Sequence, residues 1–140
     1  MDLNPNSLAH TAKRLERYQP ETYQQNVLEK IETPIKPFDS IGANYLLHCV
    51  PGAITEKAVI FDHLRKLMNP GAHMFGSTIL QGGVERSWLA QRLMAFYNKK
   101  GIFSNTTDSL DDLKSALTQR FVNVKVDVVG CVALFSGQVQ

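Results

Sequence analysis

The chain has 140 residues, 44% of them hydrophobic and 20% charged. That suffices for one domain with one core and excludes a disordered chain. The formal net charge is +2, and the basic residues are scattered, so the charge gives no argument for a nucleic-acid partner. No apolar run approaches the length of a membrane span, and Met1 to Asn6 has neither the basic nor the apolar region of a signal peptide.

In chain order, residues 1–6 have the punctuation of a loop leaving a strand. A helix is predicted over 7–18, capped by Asn6 or Ser7, with Leu8, Ala12 and Leu15 as its apolar stripe. Pro20 ends it. Residues 22–28 read as a short, polar edge strand, and 29–36, with Pro34, as a connector. The first strong strand is predicted over 38–49, broken by Val50-Pro51-Gly52. Cys49 beside it and Cys131 near the C-terminus lie in apolar strand sequence. Buried reduced thiols are the default there, which suits a reducing cytoplasm, and no metal site is expected.

A helix is predicted over 54–68, with Ala58, Phe61, Leu64, Leu67 and Met68 inward. Glu56, Lys57, Asp62, Arg65 and Lys66 are placed on the solvent face. Asn69-Pro70-Gly71 is read as a stop and turn before a strand over 72–80. This strand–helix–strand unit implies a parallel pair with helices on the sheet's faces. Ligands of such sheets lie beyond the carboxyl ends of the strands, here Asn44 to His48 and Leu80 to Gly83. Asn44 and Tyr45 are polar residues in an apolar run and need partners if buried. His48 is read either as a general base for an acceptor hydroxyl or amine, or as a satisfied structural histidine.

Gly82-Gly83 is taken as a mobile joint, and 81–86 as a lid or acceptor loop or simply a turn. A helix follows over 85–99, with Trp88, Leu89, Leu93 and Phe96 expected inward and Gly101 closing it. Trp88, Phe96, Tyr97 and Phe103 are weighed as an acceptor wall, with core packing the default for Trp88 and Phe96. Asp108 or Ser109 caps a last helix running to about residue 120. Its stripe is Leu110, Leu113, Ala116 and Leu117, and Ser109 with Asp112 resembles a capping box. Residues 124–128 alternate as a half-buried strand, Gly130 turns, and 131–136 return antiparallel.

This order of elements resembles the class I S-adenosylmethionine-dependent methyltransferases. Residues 64–74 look like that family's passage from helix to strand through a Pro-Gly turn. Residues 38–41 followed by 44–48 look like its fourth strand, and residues 2–9 like the acidic end of its second strand entering a helix. The resemblance implies an α/β, Rossmann-like sheet in one partial domain, 1–140. That sheet is mostly parallel, has a C-terminal antiparallel hairpin and lacks the first strand. The implied activity is methyl transfer from S-adenosylmethionine to a small-molecule acceptor, with no nucleic acid and no membrane.

The resemblance also implies cofactor-binding residues. These are Asp2 on the ribose hydroxyls with Leu3 beside it, Asn26 with Val27 near the adenine amino group, and Asn44 with Tyr45 at the methionine end. The bland alternatives are a terminal aspartate, a loop asparagine and a hydrogen-bonded polar pair. The family's Gly-x-Gly-x-Gly loop is nowhere in the sequence, and its first strand has no counterpart before Asp2. The chain is therefore expected to be a truncated or naturally short form, and alone inactive. Its strand at 38–49 is expected to leave an apolar edge that pairs with a second copy or rearranges locally. The competing reading is a non-catalytic association module.

Overall fold

Asn4, rather than Asn6 or Ser7, starts the first helix: its side-chain oxygen accepts the Asn6 N–H at 2.9 Å, and proline follows at the first helical position, where a missing N–H costs nothing. In the computed structural model, which describes residues 1–140, the chain divides into two compact units, Met1–Pro34 and Ile35–Gln140. In the first unit α1 spans Pro5–Arg14 and a 3₁₀ turn spans Glu16–Tyr18. None of the α1 residues is buried. The strand expected at 22–28 reduces to one bridge, Asp2 with Gln24.

The second unit carries a four-stranded sheet in the order β1-β2-β4-β3, with β1 Phe38–Asn44, β2 Met68–Ile79, β3 Val122–Val129 and β4 Val132–Gln138. Strands β1 and β2 are parallel, whereas β2–β4 and β4–β3 are antiparallel. The sheet is thus mixed, with one parallel pair, and ends in the antiparallel hairpin the sequence predicts. The hairpin closes through Gly130, whose φ of +59° suits glycine. The expected strand at 38–49 stops at Asn44, because Tyr45 turns into the left-handed region at φ +53° and a 3₁₀ turn follows at Leu47–Cys49.

Asn69-Pro70-Gly71 does not stop the chain before β2 but sits inside it as a bulge. The β1 pairing steps from Phe38–Met68 to Ser40–His73, so the four β2 residues 69–72 lie against Asp39 alone. Proline, with no N–H to give the ladder, is tolerated there. Gly71 adopts φ +80°, and its N–H donates to the Val139 carbonyl at 3.0 Å.

The crossover is two short helices, α2 Ile54–Lys57 and α3 Val59–Arg65. Ala58, Phe61, Leu64, Leu67 and Met68 are all buried, as their spacing predicts. With Leu113, Ala116 and Leu117 of α5 (Leu110–Thr118) they cover one sheet face, where Phe61 meets Phe121 and Phe135 edge-on at 6.1 and 5.8 Å. Gly76 lets β1 and β2 approach at this face: a Cβ there would lie 2.3 Å from the Ala43 carbonyl oxygen. The other face carries Phe75 and Leu134, both 45% exposed. Strand β1 has no neighbour on its outer side, which is the exposed edge the sequence predicts.

Two expectations about side chains are overturned. Lys57, placed on the solvent face, is fully buried. On α4, Trp88–Lys99, the residues expected inward (Trp88, Leu89, Leu93 and Phe96) are exposed, and Met94 alone is buried. No helix is long and apolar enough to cross a membrane.

Candidate functional site

The carboxyl ends of β1 and β2 are joined through one serine. Ser77 is 3% exposed, its carbonyl accepts the Tyr45 N–H at 2.8 Å, and its hydroxyl lies 3.4 Å from Asn44 Oδ1. These bonds hold Tyr45 in its left-handed conformation, which costs a non-glycine residue energy that its surroundings must supply. The side chains of Asn44 and Tyr45 are not the buried pair the apolar run suggested. Both are exposed, Tyr45 by 55%.

His48, one turn on, is buried. Its Nδ1 accepts a long bond from the Ile79 N–H at 3.4 Å and lies 3.5 Å from Thr78 Oγ1. Accepting at Nδ1 puts the proton of the neutral ring on Nε2. Burial first, and the Lys57 ammonium second, hold its pKa down at about 4 from the ordinary 6.5. The ring is therefore neutral at physiological pH and a weak proton acceptor.

Beneath this edge lies a polar network that the sequence did not reveal. Lys57 Nζ donates to both carboxylate oxygens of Asp108, at 2.8 and 3.1 Å, and to the Ser104 carbonyl at 2.5 Å. Both charged side chains are wholly shielded from solvent. Burial raises the Asp108 carboxyl above the ordinary carboxylate range, with the bond from Lys57 pulling the other way. The same aspartate, through its carbonyl, accepts the Gln81 and Gly82 N–H groups at 2.9 and 3.0 Å. The glycine joint at 82–83 is thus tied down rather than mobile, and Gly83, at φ +71°, comes close to Leu110.

Asn105, also fully buried, is the second hub. Its amide donates to the Ile79 carbonyl at 2.9 Å and accepts from Asn98 of α4 at 2.8 Å, while its main-chain N–H donates back to Asn98 at 3.2 Å. Spacing held a clue to Lys57. Ile54, Lys57 and Phe61 are three and four residues apart, so all three share one helical face.

In the first unit the bridge at Gln24 brings Asp2 and Leu3 close to the segment leading to Asn26. The Asp2 N–H donates to the Tyr23 carbonyl and the Gln24 side chain donates to the Leu3 carbonyl, both at 3.2 Å. Asp2 is exposed, and its Oδ1 accepts the Asn4 N–H at 2.8 Å. Asn26 closes its own turn: its oxygen accepts the Leu28 N–H at 3.1 Å and its amino group donates to Glu29 at 2.9 Å. Val27 lies half-buried in that turn.

No family model matches the chain. Among curated proteins it is 44% identical over 135 residues to a demethylluteothin O-methyltransferase of Streptomyces thioluteus, covering 96% of this chain and 59% of that protein. It is 33% identical over 146 residues to an O-methyltransferase of Aspergillus niger, covering 99% of this chain and 75% of that one. Among solved structures it matches the N-methyltransferase NodS of Bradyrhizobium japonicum, determined with S-adenosyl-L-homocysteine. That match has a TM-score of 0.63 at 16% identity and covers 99% of this chain and 64% of NodS. The chain spans about half to three fifths of the length of the first curated relatives it matches. The sheet with its antiparallel hairpin, the crossover between β1 and β2, and these identities agree: the chain belongs to the class I S-adenosylmethionine-dependent methyltransferase family.

Proposed function

We propose that this chain forms part of an enzyme that transfers the methyl group of S-adenosylmethionine to a small-molecule acceptor. The observation that carries the proposal is the joined carboxyl edge of β1 and β2, where Asn44 and Tyr45 stand exposed over Ser77 in a chain 44% identical to an O-methyltransferase. The cofactor, when bound, supplies an electrophilic methyl group on a good leaving group, so the protein's work is to hold donor and acceptor in line and exclude water.

Each unit, taken by itself, offers groups suited to part of that task. The exposed Asp2 carboxylate keeps Oδ2 unbonded for a ribose diol, with Leu3 beside it. Asn26 has a second lone pair for an adenine amino group, with Val27 alongside. Asn44 and Tyr45 hold the methionine end. His48 we assign to packing and positioning, because a pKa of about 4 leaves little drive to take an acceptor's proton. Cys49 is exposed and Cys131 half-buried, not the buried thiols their apolar surroundings suggest, and as free thiols they would suit a reducing cytoplasm.

A titration with S-adenosylhomocysteine, followed by amide-resolved NMR, tests this assignment. Saturable shifts are expected at Asp2 and Leu3, at Asn26 and Val27, and at Asn44 and Tyr45. Shifts confined to other residues would overturn it.

One observation favours a second reading, an association module: β1 stands at the edge of the sheet with Phe38 43% exposed. Two copies joined there would form one continuous sheet. Sedimentation velocity would show a dimer that Ser40→Pro, on the unpaired edge strand, dissociates; a monomer at all concentrations would remove the reading.

A further inference from the structure

Helix α4 has an apolar face that the rest of the chain does not cover. Of its 12 residues only Met94 is buried. At about 100° per residue, Trp88, Leu89, Leu93 and Phe96 fall within one arc of about 140° around the helix, and Met94 lies opposite. All four are exposed, Trp88 by 70%. A surface helix ordinarily turns such a face toward the core, and a contiguous exposed apolar patch marks an interaction surface.

The helix is nonetheless held in place. On its inward side Asn98 donates to the side chain of the fully buried Asn105 at 2.8 Å and accepts the Asn105 N–H at 3.2 Å. Beyond the helix, Phe103 meets the His48 ring edge-on at 4.8 Å, and the Ser104 N–H donates to the His48 carbonyl at 2.7 Å. These ties and one buried methionine fix the direction in which the apolar face points.

The charge on the same face selects what covers it. Arg92, Lys99 and Lys100 are exposed and fall in the same arc, and no aspartate or glutamate occurs between Ser87 and Lys100. The Lys100 ammonium stands over the Phe96 ring, 5.8 Å from its centre. A second copy of the chain would set three cations against three more, with no carboxylate on either helix between them, which like-charge repulsion disfavours. The partner is therefore both apolar and anionic. The interface of an acidic lipid bilayer is both. A lone convex helix needs no matching groove there, tryptophan settles at the headgroup level, and Lys and Arg reach from an apolar face to charged headgroups.

We propose that α4 lies along the surface of an anionic membrane, with Trp88, Leu89, Leu93 and Phe96 at the boundary of headgroups and acyl chains and Arg92, Lys99 and Lys100 on acidic headgroups. The contact is peripheral and needs no spanning helix. It departs from the resemblance, which implies no membrane partner, and it stands whether or not the chain binds a methyl donor.

Trp88 is the chain's single tryptophan, so its fluorescence reads the contact directly. The 140-residue chain is titrated with vesicles of phosphatidylcholine and phosphatidylserine in equal parts, and separately with phosphatidylcholine alone. A saturable blue shift of Trp88 is expected on the mixed vesicles, reversed by high salt, with affinity for the neutral vesicles lower by roughly a hundredfold. Combining Arg92→Gln, Lys99→Gln and Lys100→Gln is expected to weaken mixed-vesicle binding by a similar factor, and Leu93→Ala by about tenfold. These changes touch exposed side chains only, and the salt reversal tests the charge claim on the parent chain without any variant. Lys13→Gln with Arg14→Gln, on the exposed basic end of α1, leaves binding unchanged. Equal affinity for neutral vesicles, loss of binding in the α1 variant, or a Trp88 emission that no vesicle moves would each overturn the proposal. So would a blue shift that grows with protein concentration without lipid, which gives the face to a second copy. A shift produced by an acidic amphipathic peptide and by no vesicle gives it to a protein partner and overturns the proposal as well.

Discussion

Replacing Lys57 with methionine is expected to cost about 3–5 kcal/mol of folding stability, the largest effect of any single change considered for this chain. The substitution keeps the volume of the side chain and removes its charge, so the Asp108 carboxylate is left fully buried without the ammonium 2.8 Å away. Asp108→Ala is expected to cost a similar amount for the mirror-image reason. Lys57→Met with Asp108→Leu is expected to recover most of the loss, since two apolar side chains bury more cheaply than one orphaned ion.

The single lysine variant also carries a pH signature. Burial already raises the Asp108 carboxyl, and without Lys57 nothing of opposite charge pulls it back. The variant therefore regains stability as the pH falls and the carboxyl takes a proton, and loses it as the pH rises through that raised pKa. Urea unfolding of the three variants at neutral and acid pH measures all of this. A Lys57→Met protein as stable as the parent would show that the buried pair contributes nothing.

The second large effect is acid destabilisation through His48. Its pKa is lowered from 6.5 to about 4 by burial and by Lys57, so the folded state refuses a proton that the unfolded state accepts. The stability held this way is complete above pH 6.5 and is lost as the pH falls toward 4, amounting to about 3 kcal/mol. His48→Phe keeps the edge contact with Phe103 and cannot titrate. The parent should therefore lose about 3 kcal/mol more than this variant between neutral pH and pH 4. Parallel stability–pH curves for the two proteins would mean that His48 is not held neutral by the fold.

The sequence made the sheet legible where local rules and tertiary packing agree. The hairpin at Gly130, the Ser109 cap and the inward face of Phe61, Leu64 and Leu117 each follow from one turn, one capping residue or one period. Ser109 accepts the Asp112 N–H at 3.1 Å as a cap should. The rules failed where two signals competed. Asn69-Pro70-Gly71 has the chemistry of a turn, but the ladder on either side of it turns it into a bulge inside one strand. Lys57 follows the charge rule for a solvent face only if its neighbour Glu56 decides the reading. Its spacing from Ile54 and Phe61 decides otherwise, and Asp108, 51 residues away, makes the burial bearable. That partner is invisible to any local window.

Helix α4 shows the other limit. A 3.6-residue period establishes that Trp88, Leu89, Leu93 and Phe96 share a side of the helix, but says nothing about what covers them. For the site, resemblance singled out Asn44 and Tyr45 at the strand end, and the structure adds why they stand there: Ser77 anchors both. No local pattern in the sequence marks Asn105. Its role depends on Asn98 and the end of β2 arriving together, which only the fold brings about.

The most direct measurement is the titration of S-adenosylhomocysteine into this 140-residue chain, read by calorimetry with NAD run in parallel. Saturable binding of S-adenosylhomocysteine and no heat from NAD is the expected result. It would place a working methyl-donor site on these residues without the family's glycine-rich loop. Binding of NAD in its place, or of neither compound, would contradict the methyl-transfer account of this chain.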